Sequence, residues 1–164
     1  MHLLKSYCKE IFVICILTIG LSLLFAFIPE PMSRIEAFSP RALIIAIFAL
    51  LIPLFTSLMG SYLISKKSAN ISDYVKIPVI GVLIATWIMM LYSIVKILAM
   101  SPDDWISEYN KIKDIMPVSM TLEEFKNITV NGIVTGLFVV SAINAGLATI
   151  GGLIGRYILS KTQK

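Results

Sequence analysis

Charged residues are scarce in this 164-residue chain, and four long stretches contain none. The charge-free stretches are 29 residues between Lys126 and Arg156, 24 between Arg41 and Lys66, 19 between Glu10 and Glu30, and 19 between Lys76 and Lys96. A helix rises about 1.5 Å per residue and the hydrocarbon core of a bilayer is about 30 Å thick, so each stretch is long enough to span it. With 57% hydrophobic and 15% charged residues, the composition excludes an ordinary soluble domain.

Cysteine and histidine are also scarce. The chain has two cysteines, Cys8 and Cys15, and one histidine, His2. Neither cysteine falls in a predicted external loop, which excludes a disulfide framework there, and a single histidine without a cysteine pair offers no ligand set for a transition metal. The apolar stretches contain no acidic residue that could work with a base or a nucleophile at membrane depth. We therefore expect no catalytic residue, no cofactor and no metal site, and a protein that is not an enzyme.

The chain does contain the pattern of four apolar helices and one amphipathic helix. We predict an all-α integral membrane protein with four transmembrane helices in an up-down bundle and a short external amphipathic helix between helices three and four. The first helix is expected to be retained, because its apolar stretch is long for a signal-peptide core and no small-residue cleavage pattern follows it. A single membrane domain occupies 1–164, with helix one at about 11–28, helix two at 42–65, helix three at 77–100, the external helix at 102–116 and helix four at 122–159.

Lysine and arginine are divided unequally between the two sides of this predicted bundle. The termini and the loop between helices two and three carry eight of them, whereas the loops at 29–41 and 101–121 together with Lys126 carry five. Because short loops rich in Lys and Arg stay in the cytoplasm, we expect cytoplasmic N- and C-termini and external loops at 29–41 and 101–121. The chain is expected to be a multi-pass protein of the plasma membrane. The net charge of +4 then reflects this sidedness and not affinity for nucleic acid.

The segment between helices three and four carries two helix-start signals. Ser101 is a capping residue and Pro102 occupies the first helical position. An apolar stripe follows at helical spacing, at Trp105, Tyr109, Ile112 and Met116. Thr121 and Glu124 then have the spacing of a capping box, in which each side chain bonds the other residue's backbone N–H. These signals predict an external helix whose apolar stripe lies on the membrane interface or caps the external end of the bundle, and a helix four that begins outside the membrane.

Small residues are concentrated in the last apolar stretch. They form four pairs at i, i+4 spacing: Gly132 with Gly136, Ala142 with Gly146, Ala148 with Gly152, and Gly151 with Gly155. In a membrane such pairs let a neighbouring backbone approach closely. The four pairs do not share one stripe of the helix, so helix four is expected to present small surfaces to two neighbours, or to one neighbour in the bundle and to a second copy.

The polar groups at membrane depth are neutral: Thr18, Ser22, Thr56, Ser57, Thr86, Ser141 and Asn144. Such groups commonly form hydrogen bonds between helices. Asn144 is notable because its amide offers two donors and an acceptor near the middle of helix four. With Thr86 and Thr56 it is our candidate for a polar path or an interhelical contact. Pro53 is expected to kink helix two, whereas Pro78 is expected in the first turn of helix three.

Two functions remain open for such a small polytopic protein. The first is a non-enzymatic helix-packing or accessory subunit of a membrane assembly, whose partners are the lipid bilayer and a second copy or a larger membrane complex. The alternative is a small oligomeric channel or facilitator for an ion or a neutral solute, with Asn144, Thr86 and Thr56 along its path. The glycines and the lack of catalytic groups at membrane depth favour the first function, whereas the second would use the polar groups that the first explains as interhelical contacts.

Overall fold

Helices make up nearly all of the structure. The computed structural model describes residues 5–26, 40–67, 69–113 and 120–162, and within these ranges it contains helices and no strand. The helices are α1 (Cys8–Ala26), α2 (Pro40–Ser65), α3 (Ile71–Leu98), α4 (Pro102–Ile112) and α5 (Leu122–Thr162). The all-helical prediction is therefore confirmed. His2, Met116 and most of the predicted loop at 29–41 lie outside the described residues.

Three of the described helices are long and apolar enough to cross a membrane. They are α3, α5 and the part of α2 from Ile47 to Ser65. At about 1.5 Å per residue, the 41 residues of α5 extend about 60 Å, which exceeds the roughly 40–45 Å of a bilayer with its headgroups. An α5 that crosses a bilayer therefore also projects beyond it.

Local capping sets the start of α3 earlier than the charge pattern predicts. The Asn70 N–H donates to Asp73 Oδ2 at 3.0 Å, so the helix begins at Ile71 and not near residue 77. As a result Pro78 lies inside the helix, past its first turn, which corrects the position predicted for it. A proline there has no N–H for the carbonyl four residues earlier, and the Tyr74 carbonyl loses its usual partner.

The two central helices are α2 and α3. Both α1 and α5 pack against each of them, and α4 lies against α5. The start of α1 contacts the start of α3 and the residues just after α2, and the second half of α5 contacts the second half of α2. The four long helices therefore alternate in direction along the chain, so that α1 and α3 run one way and α2 and α5 run the other. One end of the bundle, here called the basic end, holds the starts of α1 and α3 and the ends of α2 and α5. The opposite end, which carries α4, is called the α4 end.

The core is small and the apolar surface is large. Fully buried side chains are concentrated toward the basic end and include Ile14, Ile64, Ile77 and Val82. Many large apolar side chains point outward, such as Leu98 at 76% exposure and Phe138 at 65%. Such a surface would promote aggregation in water, whereas lipid tails can cover it without cost.

Candidate functional site

Small residues bring α5 against α2 at the basic end. A Cβ added at Gly151 would lie 3.0 Å from the Ser57 Cβ, and one added at Gly155 would lie 2.5 Å from the Ser61 Cβ. The Ser61 hydroxyl also donates to the Gly152 carbonyl at 3.2 Å. Side chains larger than hydrogen are therefore excluded at both glycines unless α2 moves. This contact is the close backbone approach that small residues permit in a membrane.

Gly152 faces α3 instead of α2. A Cβ at this position would collide with the Tyr74 carbonyl oxygen and would lie 3.5 Å from the Pro78 ring. This is the carbonyl four residues before Pro78, which has no N–H to donate to it, so Gly152 approaches an oxygen that lacks its usual helical donor. Ala148, one turn away, is fully buried. The small residues of this half of α5 thus face two neighbours within the chain.

The remaining small-residue candidates face no neighbour in the described part of the chain. A Cβ added at Gly132, Gly136 or Gly146 meets no atom within 4 Å. Ala142, the partner of Gly146 in the sequence pattern, is exposed. The two small-residue pairs nearer the α4 end are therefore not used in packing among the described residues.

Two glycines outside the four predicted pairs hold α1 in place. Ile14 of α1 inserts between Gly60 of α2 and Gly81 of α3, where an added Cβ would lie 2.5 Å and 2.9 Å from atoms of the isoleucine side chain. Ile14 is fully buried as a result. The sequence carries a signal for the α3 contact, because Ala85 follows Gly81 at the i, i+4 spacing of a small-residue pair.

Besides the Ser61 bond, two hydrogen bonds between neutral polar side chains join different helices within the described part of the chain. Asn144 Nδ2 donates to Thr86 Oγ1 at 2.9 Å, which joins α5 to α3. Thr18 Oγ1 donates to Thr56 Oγ1 at 3.0 Å, which joins α1 to α2. The Thr86 hydroxyl in turn donates to the Val82 carbonyl of its own helix at 2.9 Å. Asn144 and Thr86 are thus in contact, whereas Thr56 bonds to a different helix.

A cleft of about 160 Å³, here called the inner cleft, lies beside these bonded pairs. Its walls come from all four long helices and comprise Thr18, Ser22, Ala49, Ile52, Pro53, Ala85, Thr86, Met89, Met90, Val140 and Asn144. The Asn144 carbonyl oxygen accepts no hydrogen bond from the described residues and is available to a ligand. The inner cleft can hold a small solute or several water molecules.

A polar cluster at the basic end joins the start of α1 to the connection between α2 and α3. The Tyr7 hydroxyl donates to Asp73 Oδ2 at 3.1 Å, Lys67 Nζ lies 2.9 Å from Glu10 Oε1, and Lys67 also donates to the Ser6 carbonyl at 2.7 Å. Tyr7, Glu10 and Asp73 are at most 8% exposed. Burial, and then the hydrogen bond to Asp73, raises the pKa of Tyr7 above its usual value, so the phenol remains a donor at neutral pH.

The sequence pattern does not predict this cluster, because the residues that bond to each other are 57 to 66 positions apart in the chain. No periodicity links positions at such separations. The cluster connects the start of α1 to the end of α2 and the start of α3 through hydrogen bonds and one ion pair.

Among the described residues, no group of three or more His, Cys, Asp or Glu side chains could hold a metal ion.

Both predicted helix starts at the α4 end are confirmed. The Ser101 N–H donates to Asp104 Oδ2 at 2.9 Å, and the Asp104 N–H donates to Ser101 Oγ at 3.2 Å. Thr121 and Glu124 exchange the same two bonds, at 2.7 Å and 3.3 Å. Two hydrogen bonds lower the pKa of Asp104 below its usual value, and the bond from the Ser101 hydroxyl has a larger effect than the bond from the Ser101 N–H. This carboxylate is therefore ionised at neutral pH.

Aromatic contacts hold α4 against the first turn of α5. The rings of Trp105 and Tyr109 lie 6.0 Å and 5.9 Å from the ring of Phe125, and the Tyr109 hydroxyl donates to the Met120 carbonyl at 2.5 Å. A cleft of about 560 Å³, here called the outer cleft, lies between α4, the last turns of α3 and the first turns of α5. It is lined by Ser93, Lys96, Ile97, Ala99, Met100, Asp104, Trp105, Glu108, Phe125 and Thr129.

Comparison with protein-family models, with curated proteins and with solved structures finds no match to this chain. The geometry therefore carries the functional argument. It offers three features that could act on a partner or a ligand: the uncovered small residues of α5, the inner cleft and the outer cleft.

Proposed function

We propose that this chain is a four-span integral membrane protein that serves as a non-enzymatic helix-packing or accessory subunit of a membrane assembly. In this proposal α1 crosses the bilayer together with α2, α3 and α5. The basic end, with Lys66, Lys76 and Arg156, is cytoplasmic, and α4 is external at the plasma membrane. The excess of Lys and Arg at the basic end supports this orientation.

The observation that carries the proposal is the contrast between the two halves of α5. Gly151 and Gly152 are in backbone contact with their own chain, whereas a Cβ at Gly132, Gly136 or Gly146 meets nothing. A glycine inside a helix costs about 0.5–1 kcal/mol relative to alanine. In lipid an uncovered glycine gives no packing in return, but it allows the backbone of a partner helix to approach.

The uncovered glycines also fall on a regular seam along the outside of α5. Alternating steps of four and three residues connect Gly132, Gly136, Val139, Ile143, Gly146, Ile150, Leu153 and Tyr157. Seven of these eight residues are exposed and Gly136 is half-buried. A seam with this 3.5-residue period is the pattern by which helices pack in left-handed pairs, in water and in membranes. We call it the α5 seam, and its proposed occupant is a transmembrane helix of a second copy or of another subunit.

Substitution of an uncovered glycine tests the proposal without disturbing the fold. Gly136→Leu fills space where a Cβ meets no atom, so the monomer should fold normally. A leucine on the α5 seam blocks close approach and should weaken association about tenfold or more, which corresponds to about 1.4 kcal/mol. The measurement is subunit counting in native-membrane nanodiscs, with identification of the proteins that co-purify.

Gly20→Leu is the matched control, because a Cβ at Gly20 on α1 also meets nothing within 4 Å. This variant should associate like the native protein. A native chain that is monomeric and co-purifies with nothing, or a Gly136→Leu variant that associates normally, would contradict the packing function.

The inner cleft supports the second candidate, a small channel or facilitator. It brings Asn144 and Thr86 together, and the Asn144 side-chain oxygen, which accepts no hydrogen bond from the described residues, can accept one from a solute. Solute or ion flux in proteoliposomes that is lost in Asn144→Leu and retained in Gly20→Leu would favour this function. If neither variant nor the native protein gives flux above protein-free vesicles, the packing function is favoured.

A further inference from the structure

The outer cleft is not used by the packing function and has the features of a ligand site. We propose that it binds the headgroup of a zwitterionic phospholipid, with the phosphate group at Lys96 and the ammonium group at Asp104. The proposal requires the bundle to lie in a membrane with α3 as a span, for which α3 is long and apolar enough. It does not require a partner helix on the α5 seam.

Lys96 supplies an unpaired positive charge at the edge of the apolar region. It lies in the last turn of α3 and lines the outer cleft, and it forms no ion pair or hydrogen bond with any residue that the structure describes. A long lysine side chain at the end of a span extends toward the headgroup layer, where the phosphate groups lie. Its ammonium group is therefore free to bind one.

The two carboxylates that line the outer cleft, Glu108 and Asp104, differ in their ion pairs and hydrogen bonds. Glu108 is paired with Lys111 at 2.6 Å. Asp104 accepts both hydrogen bonds from Ser101 at Oδ2, so its Oδ1 receives none from the described residues. As far as the described residues go, the outer cleft thus presents one lysine without an ion pair and one carboxylate oxygen with spare acceptor capacity. A headgroup with both a phosphate and an ammonium group matches this pair, whereas a purely anionic headgroup would meet Asp104 unfavourably.

The size and the walls of the outer cleft also suit a lipid. Its volume of about 560 Å³ is within the usual range for small-molecule sites, and Trp105 and Phe125 supply aromatic walls. Tryptophan is favoured at the membrane interface, and the Lys126 ammonium group lies 5.7 Å from the centre of the Trp105 ring, so a second positive charge stands beside the outer cleft. On the outside of α3, the exposed side chains Val95 and Leu98 provide an apolar surface for the acyl chains.

The test is lipid retention measured by native mass spectrometry. The full chain is reconstituted in nanodiscs that contain equal amounts of phosphatidylethanolamine, phosphatidylcholine and phosphatidylglycerol, and then released. The native protein should retain a zwitterionic lipid in preference to phosphatidylglycerol. Lys96→Ala should lower this retention up to about fivefold, which corresponds to roughly 1 kcal/mol, the upper end for an exposed ion pair. Lys96→Arg should restore it.

Lys76→Ala is the matched control, because Lys76 is exposed at the opposite end of the same helix. It should retain lipid like the native protein. If Lys96→Ala does not fold, Asp104→Asn provides a second test and should shift retention toward phosphatidylglycerol. Preferential retention of phosphatidylglycerol by the native protein, or zwitterionic retention that neither variant changes, would overturn the proposal. Gly136→Leu should leave lipid retention unchanged. Failure of the packing function can therefore be distinguished from failure of the lipid-binding proposal.

Discussion

A proline on one helix and a glycine on another act together at the contact between α3 and α5. Pro78 has no N–H for the Tyr74 carbonyl four residues earlier, so this oxygen lacks its usual helical donor. Gly152 is the residue that approaches this oxygen, and a Cβ would collide with it. Because the obstacle is backbone and not the end of a flexible side chain, it cannot move aside cheaply.

Gly152→Ala should therefore destabilise the protein by about 1–3 kcal/mol or more, the range for overpacking a tight contact. The free energy of unfolding can be measured by denaturation with sodium dodecyl sulfate in mixed micelles. Gly146→Ala is the matched control in the same helix, because a Cβ there meets nothing within 4 Å. It should be neutral or slightly stabilising. Equal stability of the two variants would show that the contact at Gly152 is absent.

At the scale of the single element, α4 shows how a short helix is kept folded. An isolated helix of 11 residues is marginal in water. Here Ser101 and Pro102 start it, Asp104 accepts the Ser101 N–H, and the rings of Trp105 and Tyr109 pack on Phe125. The cap and the stripe of apolar residues together place α4 over the end of α3, which creates the outer cleft.

The cap makes the start of α4 sensitive to acid. The pKa of Asp104 is lower in the folded helix than in an unfolded chain, so its carboxylate stabilises the folded helix above the ordinary aspartate pKa of about 4. This stabilisation is lost as the pH falls through the lowered pKa. NMR measurement of side-chain carboxyl signals as a function of pH should give a pKa for Asp104 below the ordinary aspartate pKa.

Ser101→Ala removes the hydroxyl but keeps the backbone N–H, so it should raise the pKa of Asp104 part of the way to its ordinary value. Ser107→Ala, on the exposed side of the same helix, should leave it unchanged. A pKa of Asp104 that is the same in the native protein and in Ser101→Ala would argue against the cap.

At the scale of the whole molecule, the arrangement of helix ends makes a topology test straightforward. The two native cysteines, exposed Cys8 and buried Cys15, are first replaced by serine. Ser72→Cys at the basic end and Ser107→Cys on α4 then each introduce one exposed label site. With a membrane-impermeant thiol reagent on intact cells, the proposed orientation predicts labelling of Ser107→Cys alone. Labelling of Ser72→Cys from outside would reverse the orientation.

Much of the helical architecture could be predicted because it depends on residues close together in the chain. Apolar stretches and capping pairs such as Thr121 with Glu124 act over at most a few turns. The charge pattern predicts the start of α3 too late, because Lys76 bounds the charge-free stretch whereas the helix begins earlier, at Ile71. A helix can continue past the membrane surface, so a charged residue near its start indicates where the span ends and not where the helix begins.

Local sequence is enough to predict that the described segments are helical, where the Ser101 and Thr121 caps lie, and which small and polar residues could join helices. How those residues are used depends on the tertiary structure. It set Gly152 against α3, left Gly136 uncovered, bonded Asn144 to Thr86 and gathered Tyr7 with Asp73. These outcomes depend on how each helix is rotated and placed against its neighbours. Rotation and placement follow from the packing of the whole bundle, which local periodicity does not encode.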